Sequence, residues 1–150
     1  AIPERNAIAK KLGLCDEVLA SGPENEADIR KLTGGHGVER AVECSAHHAA
    51  RAMAIRATRK WGRMVMIGEG GRMDMNPSPD MIHDQKTLCG SWVTSTWKMM
   101  ELLERLVRWN LHPADLITHR FPLEQVGEAY SLMASGRCGK VAICFDEELR

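Results

Sequence analysis

Between Pro3 and Gly68, helical patterns alternate with short apolar runs, and this alternation restricts the fold more than any other feature of the chain. "PERNAIAKKLGL" places Ile8, Ala9 and Leu12 on one helical face, with Pro3 in the first turn and Gly13 as a stop. "DEVLA" (16–20) reads as a short strand. "NEADIRKLTGG" reads as a helix with Asn25 as candidate cap and Gly34-Gly35 as its end. "ERAVECS" (39–45) is a second strand, the Ala-rich "HHAARAMAIRATRKWG" a third helix, and "RMVMIG" (63–68) a third strand. Short strands, apolar on both faces and separated by helices, belong to a parallel sheet covered on both sides. The expected class is therefore α/β, with a doubly wound parallel sheet.

The segment after Gly68 is rich in glycine, "IGEGG", but does not cradle a phosphate. A dinucleotide fingerprint needs glycine at the first, third and sixth places, followed directly by a helix. Counted from Gly68 the sixth place is Met73, and Pro77 and Pro79 rule out an immediate helix. "SPDMIHDQ" is a short helical turn and "KTLCGSWVTS" (86–95) a further strand. Ser95 or Thr96 caps a longer helix with Met100, Leu103, Leu106 and Val107 at helical spacing, ending near Asn110. "LITHRF" is an extended connection, Pro122 opens the helix "PLEQVGEAYSLMAS", Gly136 ends it, and "GKVAICF" (139–145) is the last strand.

Composition excludes several partners. The 150 residues carry 20 basic and 20 acidic side chains, so net charge gives no reason to expect nucleic acid or an anionic membrane surface. The apolar runs fall well short of a membrane span. Cys15, Cys44, Cys89, Cys138 and Cys144 form no C-x-x-C pair; their odd count and wide spacing point to reduced thiols in a cytoplasmic protein rather than a disulfide or zinc framework. His47 and His48 are neighbours on a helix and so do not share a metal site. Met64, Met66 and the other methionines read as core filler.

Four blocks carry a family resemblance: "TGGHGVERAVECS", "RKWGRMVMIGEGG", "TLCGSW" and "DLITHRFPLEQVGEAYSLMASGRCGKVAI". In this order they resemble the C-terminal part of the zinc-dependent medium-chain dehydrogenases, the alcohol, polyol and threonine dehydrogenases. The resemblance implies a partial Rossmann-like sheet, strands 3 to 6 of the order 3-2-1-4-5-6, followed by a C-terminal helix-strand segment. It implies two parts: residues 1–94 as the later portion of the dinucleotide-binding domain, and 95–150 as a segment returning to a catalytic domain outside this chain. The glycine fingerprint, the residue separating NAD from NADP, and the zinc ligands would all lie ahead of Ala1. With strands 1 and 2 absent, strand 3 would stand roughly 14 Å from strand 4. The chain alone is then expected to fold poorly or hold cofactor weakly.

The same resemblance assigns residues. In a doubly wound sheet the ligand sits outside the carboxyl ends of the strands. Cys44 and Ser45, then Ile67, Gly68 and Glu69, then Ser91, Trp92 and Val93 match positions that line the nicotinamide pocket, against the plain alternative that they are only strand ends. Arg5 matches a basic residue that reaches the adenosine ribose or its phosphate, a reading preferred over that of a solvated helix residue. Lys140 matches a position near the pyrophosphate, or guards a strand edge. No catalytic side chain is expected within the chain. The implied parent uses NAD or NADP and zinc on a small alcohol or polyol, as a homodimer or homotetramer paired through the "TLCGSWVTS" strand. The alternatives are a zinc-free reductase of quinone-reductase type, or a non-catalytic dimerisation module.

Overall fold

The computed structural model describes residues 2–13 and 15–146. In chain order the elements are α1 (Pro3–Leu12), α2 (Asn25–Leu32), β1 (Val38–Glu43), α3 (His48–Ala57), β2 (Thr58–Met66), β3 (Thr87–Gly90), α4 (Thr96–Arg108), β4 (Ile117–Pro122), α5 (Val126–Ser135) and β5 (Lys140–Cys144). They form two compact units. One spans Gly22–Thr94; the other joins the residues up to Ser21 to those from Ser95 onward. One boundary between the units falls between Thr94 and Ser95, and the first residues group with the C-terminal segment.

In the Gly22–Thr94 unit the sheet order is β1-β2-β3 and both pairings are parallel. This is the α/β arrangement that the strand-helix alternation requires. α3 crosses over between β1 and β2. Its alanines let it lie close to the sheet, and Ile55 and Met64 are fully buried where the two meet. Each such side chain contributes roughly 1.5–3 kcal/mol of burial. Val42, on the opposite face from Ala41, is 63% exposed, so that face stays open at β1 within this unit.

Several boundaries differ from the sequence reading. Asn25 is the first residue of α2 rather than its cap, and no side chain caps that helix. β2 begins at Thr58, directly after α3, five residues earlier than the apolar run. The extra residues form an irregularity: Val38 pairs with Thr58 but Arg40 with Arg63. Strand 16–20 is not formed; residues 17–20 belong to no helix or strand. A parallel strand needs a neighbour to accept its ladder hydrogen bonds, and none of the described strands pairs with it. β3 stops at Gly90, so Ser91, Trp92 and Val93 follow the strand rather than lying within it. The "SPDMIHDQ" turn is present as a π-helical turn, Ser78–Ile82.

In the other unit "LITHRF" is not a connection but a strand, β4, paired in parallel with β5. α5 bridges the two with Ala129 buried. Pro122 ends β4, and a short 3-10 turn, Leu123–Gln125, precedes α5. Gly136 closes α5 at φ +74. Ser95 caps α4 as expected, its hydroxyl accepting from the Lys98 amide at 3.3 Å. The apolar face of α4 is exposed: Trp97, Leu103 and Val107 are 63–84% accessible.

Candidate functional site

The three parallel strands of the Gly22–Thr94 unit end side by side. The carbonyl oxygen of Glu43, last residue of β1, accepts from the amides of Ile67 and Gly68 at 2.8 and 3.1 Å. The Ser91 amide donates to the Met66 carbonyl at 2.9 Å. Cys44 and Ser45, Ile67 to Glu69, and Ser91 are thereby brought to one edge of the sheet. Cys44, Ser45, Ile67, Glu69 and Ser91 are all exposed there. Trp92 and Val93 continue from this edge, 67% and 75% exposed.

A buried ion pair organises the edge. Glu43 is 4% and Arg51 7% exposed. One carboxylate oxygen of Glu43 accepts from the Ser45 amide and hydroxyl at 2.5 Å each and from the Ala46 amide at 2.9 Å. The other accepts from Arg51 Nε at 3.2 Å. The Arg51 guanidinium also donates to the carbonyls of Gly68 at 2.5 Å and Arg72 at 3.4 Å. One side chain of α3 therefore fastens the ends of β1 and β2 and the loop that follows. The sequence reading missed this pair. Its signal was an acid, Glu43, at the carboxyl end of a strand, followed eight residues later by an arginine, Arg51, in the first turns of an Ala-rich helix.

Gly68 fits this edge tightly. A Cβ there would overlap the Ala46 amide and stand 3.0 Å from the Cys44 carbonyl carbon. Its close approach is to the turn after β1, chain on chain. Gly71, at φ +67, packs against the Ala46 carbonyl in the same way.

Burial alone would raise the Glu43 pKa. The Ser45 hydroxyl and amide, Arg51 and the Ala46 amide outweigh that and hold the carboxyl below its ordinary value of 4.5. A depressed folded-state pKa gives stability that is present above the unfolded value and lost as pH falls through the folded one. Unfolding midpoints in urea should therefore fall as pH drops below about 4.5. In Glu43→Gln that part of the acid slope should vanish, and an unchanged slope would contradict the assignment.

The remaining expected residues lie elsewhere. Arg5 and Lys140 belong to the other unit. Arg5 Nε donates to the Cys138 carbonyl at 3.0 Å, tying α1 to the start of β5, while Lys140 opens β5 and is exposed. His47 and His48 do share a face, because His47 is extended rather than helical: their rings stack with centroids 4.8 Å apart. His48 Nδ1 lies 2.8 Å from Asp74. Among the described residues no three His, Cys, Asp or Glu side chains gather as a metal site. Zinc does not fit the residues described, and no step is assigned to it in this chain. No described helix is long and apolar enough to cross a membrane.

The family model for zinc-binding dehydrogenases matches residues 1–108. The chain belongs to this family. A zinc-type alcohol dehydrogenase-like protein of Escherichia coli K12 is 46% identical over 97% of the chain. L-threonine 3-dehydrogenase of Bacillus velezensis is 32% identical over 93% of it, and human sorbitol dehydrogenase 30% over 95%. The chain spans only 40–41% of the length of these three relatives. Solved structures agree in fold. An alcohol dehydrogenase of Thermotoga maritima superposes with TM-score 0.80 at 24% identity, over 95% of this chain and 41% of its own. A short chain alcohol dehydrogenase of E. coli CFT073, solved with NADH, gives 0.81 at 20% identity, over 96% and 42%. The zinc-binding dehydrogenase chain thus has the Rossmann-like strand arrangement expected of strands 4 to 6.

Proposed function

We propose that this zinc-binding dehydrogenase chain is the C-terminal, cofactor-side part of an NAD- or NADP-linked enzyme. The enzyme oxidises a secondary alcohol, a polyol or a hydroxy-amino acid. The observation that carries this reading is that three parallel strands end side by side, the ends of β1 and β2 fastened by the Glu43–Arg51 pair and Ser91 after β3 bonded to Met66, at the edge where doubly wound sheets hold their ligands. The threonine and sorbitol dehydrogenase relatives support the substrate class.

In this reading the cofactor, when bound, accepts the hydride, and the residues of this chain position its nicotinamide end. Cys44, Ser45, Ile67, Glu69 and Ser91 offer accessible groups along the edge, and Gly68 keeps the turn after β1 low enough to leave the edge open. The Gly68 carbonyl is already occupied by Arg51, so it holds the wall rather than the ligand. Arg5 and Lys140 would approach the adenosine and pyrophosphate portions. Zinc ligands lie outside this chain. The parent is a cytoplasmic homodimer or homotetramer in the same reading.

The test is to express the relative-length protein and follow NADH or NADPH formation with secondary alcohols, polyols and threonine. The expected result is turnover with one substrate class that a zinc chelator abolishes, while the 150-residue chain alone binds NADH weakly or not at all. Chelator-insensitive activity, or a tight NADH complex of the chain alone, would overturn the reading.

A further inference from the structure

A cavity lies at the opposite end of β2 from Gly68. It has a volume of about 480 Å³ and is lined by Arg30, His36, Arg59, Lys60, Trp61 and Asp84 among others. This is within the usual range for small-ligand pockets, ~300–1,000 Å³. It is separate from the strand edge assigned to the cofactor, and the proposed function does not use it.

Trp61 is the unusual member. It sits in the irregularity of β2 at φ +55, a conformation that glycine tolerates and a bulky side chain does not. Its amide is fixed by the Asp84 carbonyl at 2.9 Å. The following Gly62 admits no side chain, because a Cβ there would stand 2.5 Å from Thr58 Cγ2. Strain of this kind is normally offset by packing. Here the indole is 69% exposed, so packing offsets little of it. Bulky residues held in strained conformations without a packing reason concentrate at ligand sites.

The charges lining the cavity are unequal. Arg30 pairs with Glu26 and donates to the Arg56 carbonyl. Arg59 pairs with Glu39 at 2.7 Å and donates to the Lys60 carbonyl. Asp84 pairs with Lys86 at 3.1 Å. The Lys60 ammonium has no acidic partner and no hydrogen bond among the described residues, and the His36 ring has none either. One uncompensated positive charge and an exposed flat indole lining one cavity are complementary to one negative charge on a flat ring.

We infer that this cavity binds a planar aromatic carboxylate, the ring stacking on Trp61 and the carboxylate meeting Lys60 with His36 beside it. The other lining cations are held by their own acids, so a monoanion suits the site better than a polyanion. No bond is made or broken; the site is a binding site at the amino end of the strands.

The test is calorimetric titration of the full chain with naphthoate, naphthamide and cyclohexanecarboxylate. Naphthoate should bind saturably. The uncharged amide and the non-planar ring should each bind about tenfold more weakly. Lys60→Gln and Trp61→Gly should weaken naphthoate by a similar factor. Trp61→Gly should leave the unfolding midpoint unchanged or higher, since glycine relieves the strain; a structural tryptophan would instead lower it. Equal binding of acid and amide, undiminished binding to both variants, or no naphthoate binding at millimolar concentration would each overturn the inference.

Discussion

Arg51→Ala should destabilise the Gly22–Thr94 unit by about 3–5 kcal/mol, measured by urea unfolding at neutral pH. The substitution leaves the Glu43 carboxylate buried at 4% exposure without its cation. The Ser45 and Ala46 donors remain but carry no full charge. Removing one member of a buried pair strands the other, whereas an exposed pair is worth only about 0–1 kcal/mol. The loss is large against the ~5–15 kcal/mol of a typical domain. Arg51→Lys should recover only part of it. A lysine keeps the charge but has no planar fork to reach Glu43 and the Gly68 and Arg72 carbonyls together. A loss below about 1 kcal/mol in Arg51→Ala would mean the pair behaves as a surface contact and does not organise the strand ends.

Gly37→Ala should cost about 2–6 kcal/mol, the sum of two separable effects. Gly37 lies at φ +93, where a side chain is strained whatever the space. Its Cβ would also overlap the Ala57 carbonyl oxygen and stand 3.1 Å from the Arg59 amide. Both belong to the junction where α3 passes straight into β2, which is backbone and cannot step aside cheaply. Gly35→Ala is the control. It has φ +86 but nothing within 4 Å of the added carbon, so only the strain of about 1–3 kcal/mol applies. Equal losses for the two variants would contradict the close approach of β1 to that junction.

The parallel sheet was legible in the sequence because short apolar stretches, Ala41-Val42 in β1, Met64 to Met66 in β2 and Leu88-Cys89 in β3, are bounded by helices and turns. The pattern is local and the crossover by α3 is short. β4 was not legible for the opposite reason. Its partner, β5, lies beyond a whole helix, and "LITHRF" has too little alternation to stand out without that partner. Residues 16–20 failed the other way: their composition suits a strand, but strand formation depends on a neighbour that the described residues do not supply. Of the candidate site, the three strand ends were readable from the family resemblance, but what joins them was not. The Glu43–Arg51 pair spans eight positions and crosses from strand to helix, so no single periodicity reveals it. The close approach of Gly68 to the turn after β1 is likewise not visible in residue type alone. The strained Trp61 depends on the irregular pairing of β1 with β2, which residue type alone does not indicate.

The central claim is that this chain supplies the cofactor-side wall of a longer zinc-dependent dehydrogenase. The most direct measurement is to read the coding sequence ahead of Ala1. The account predicts an in-frame strand bearing G-x-G-x-x-G, preceded by a domain with Cys, His and Glu zinc ligands. The residue just before Ala1 would then separate NAD from NADP. A stop codon followed by a start codon directly ahead of Ala1 would contradict the claim and leave a binding module in its place.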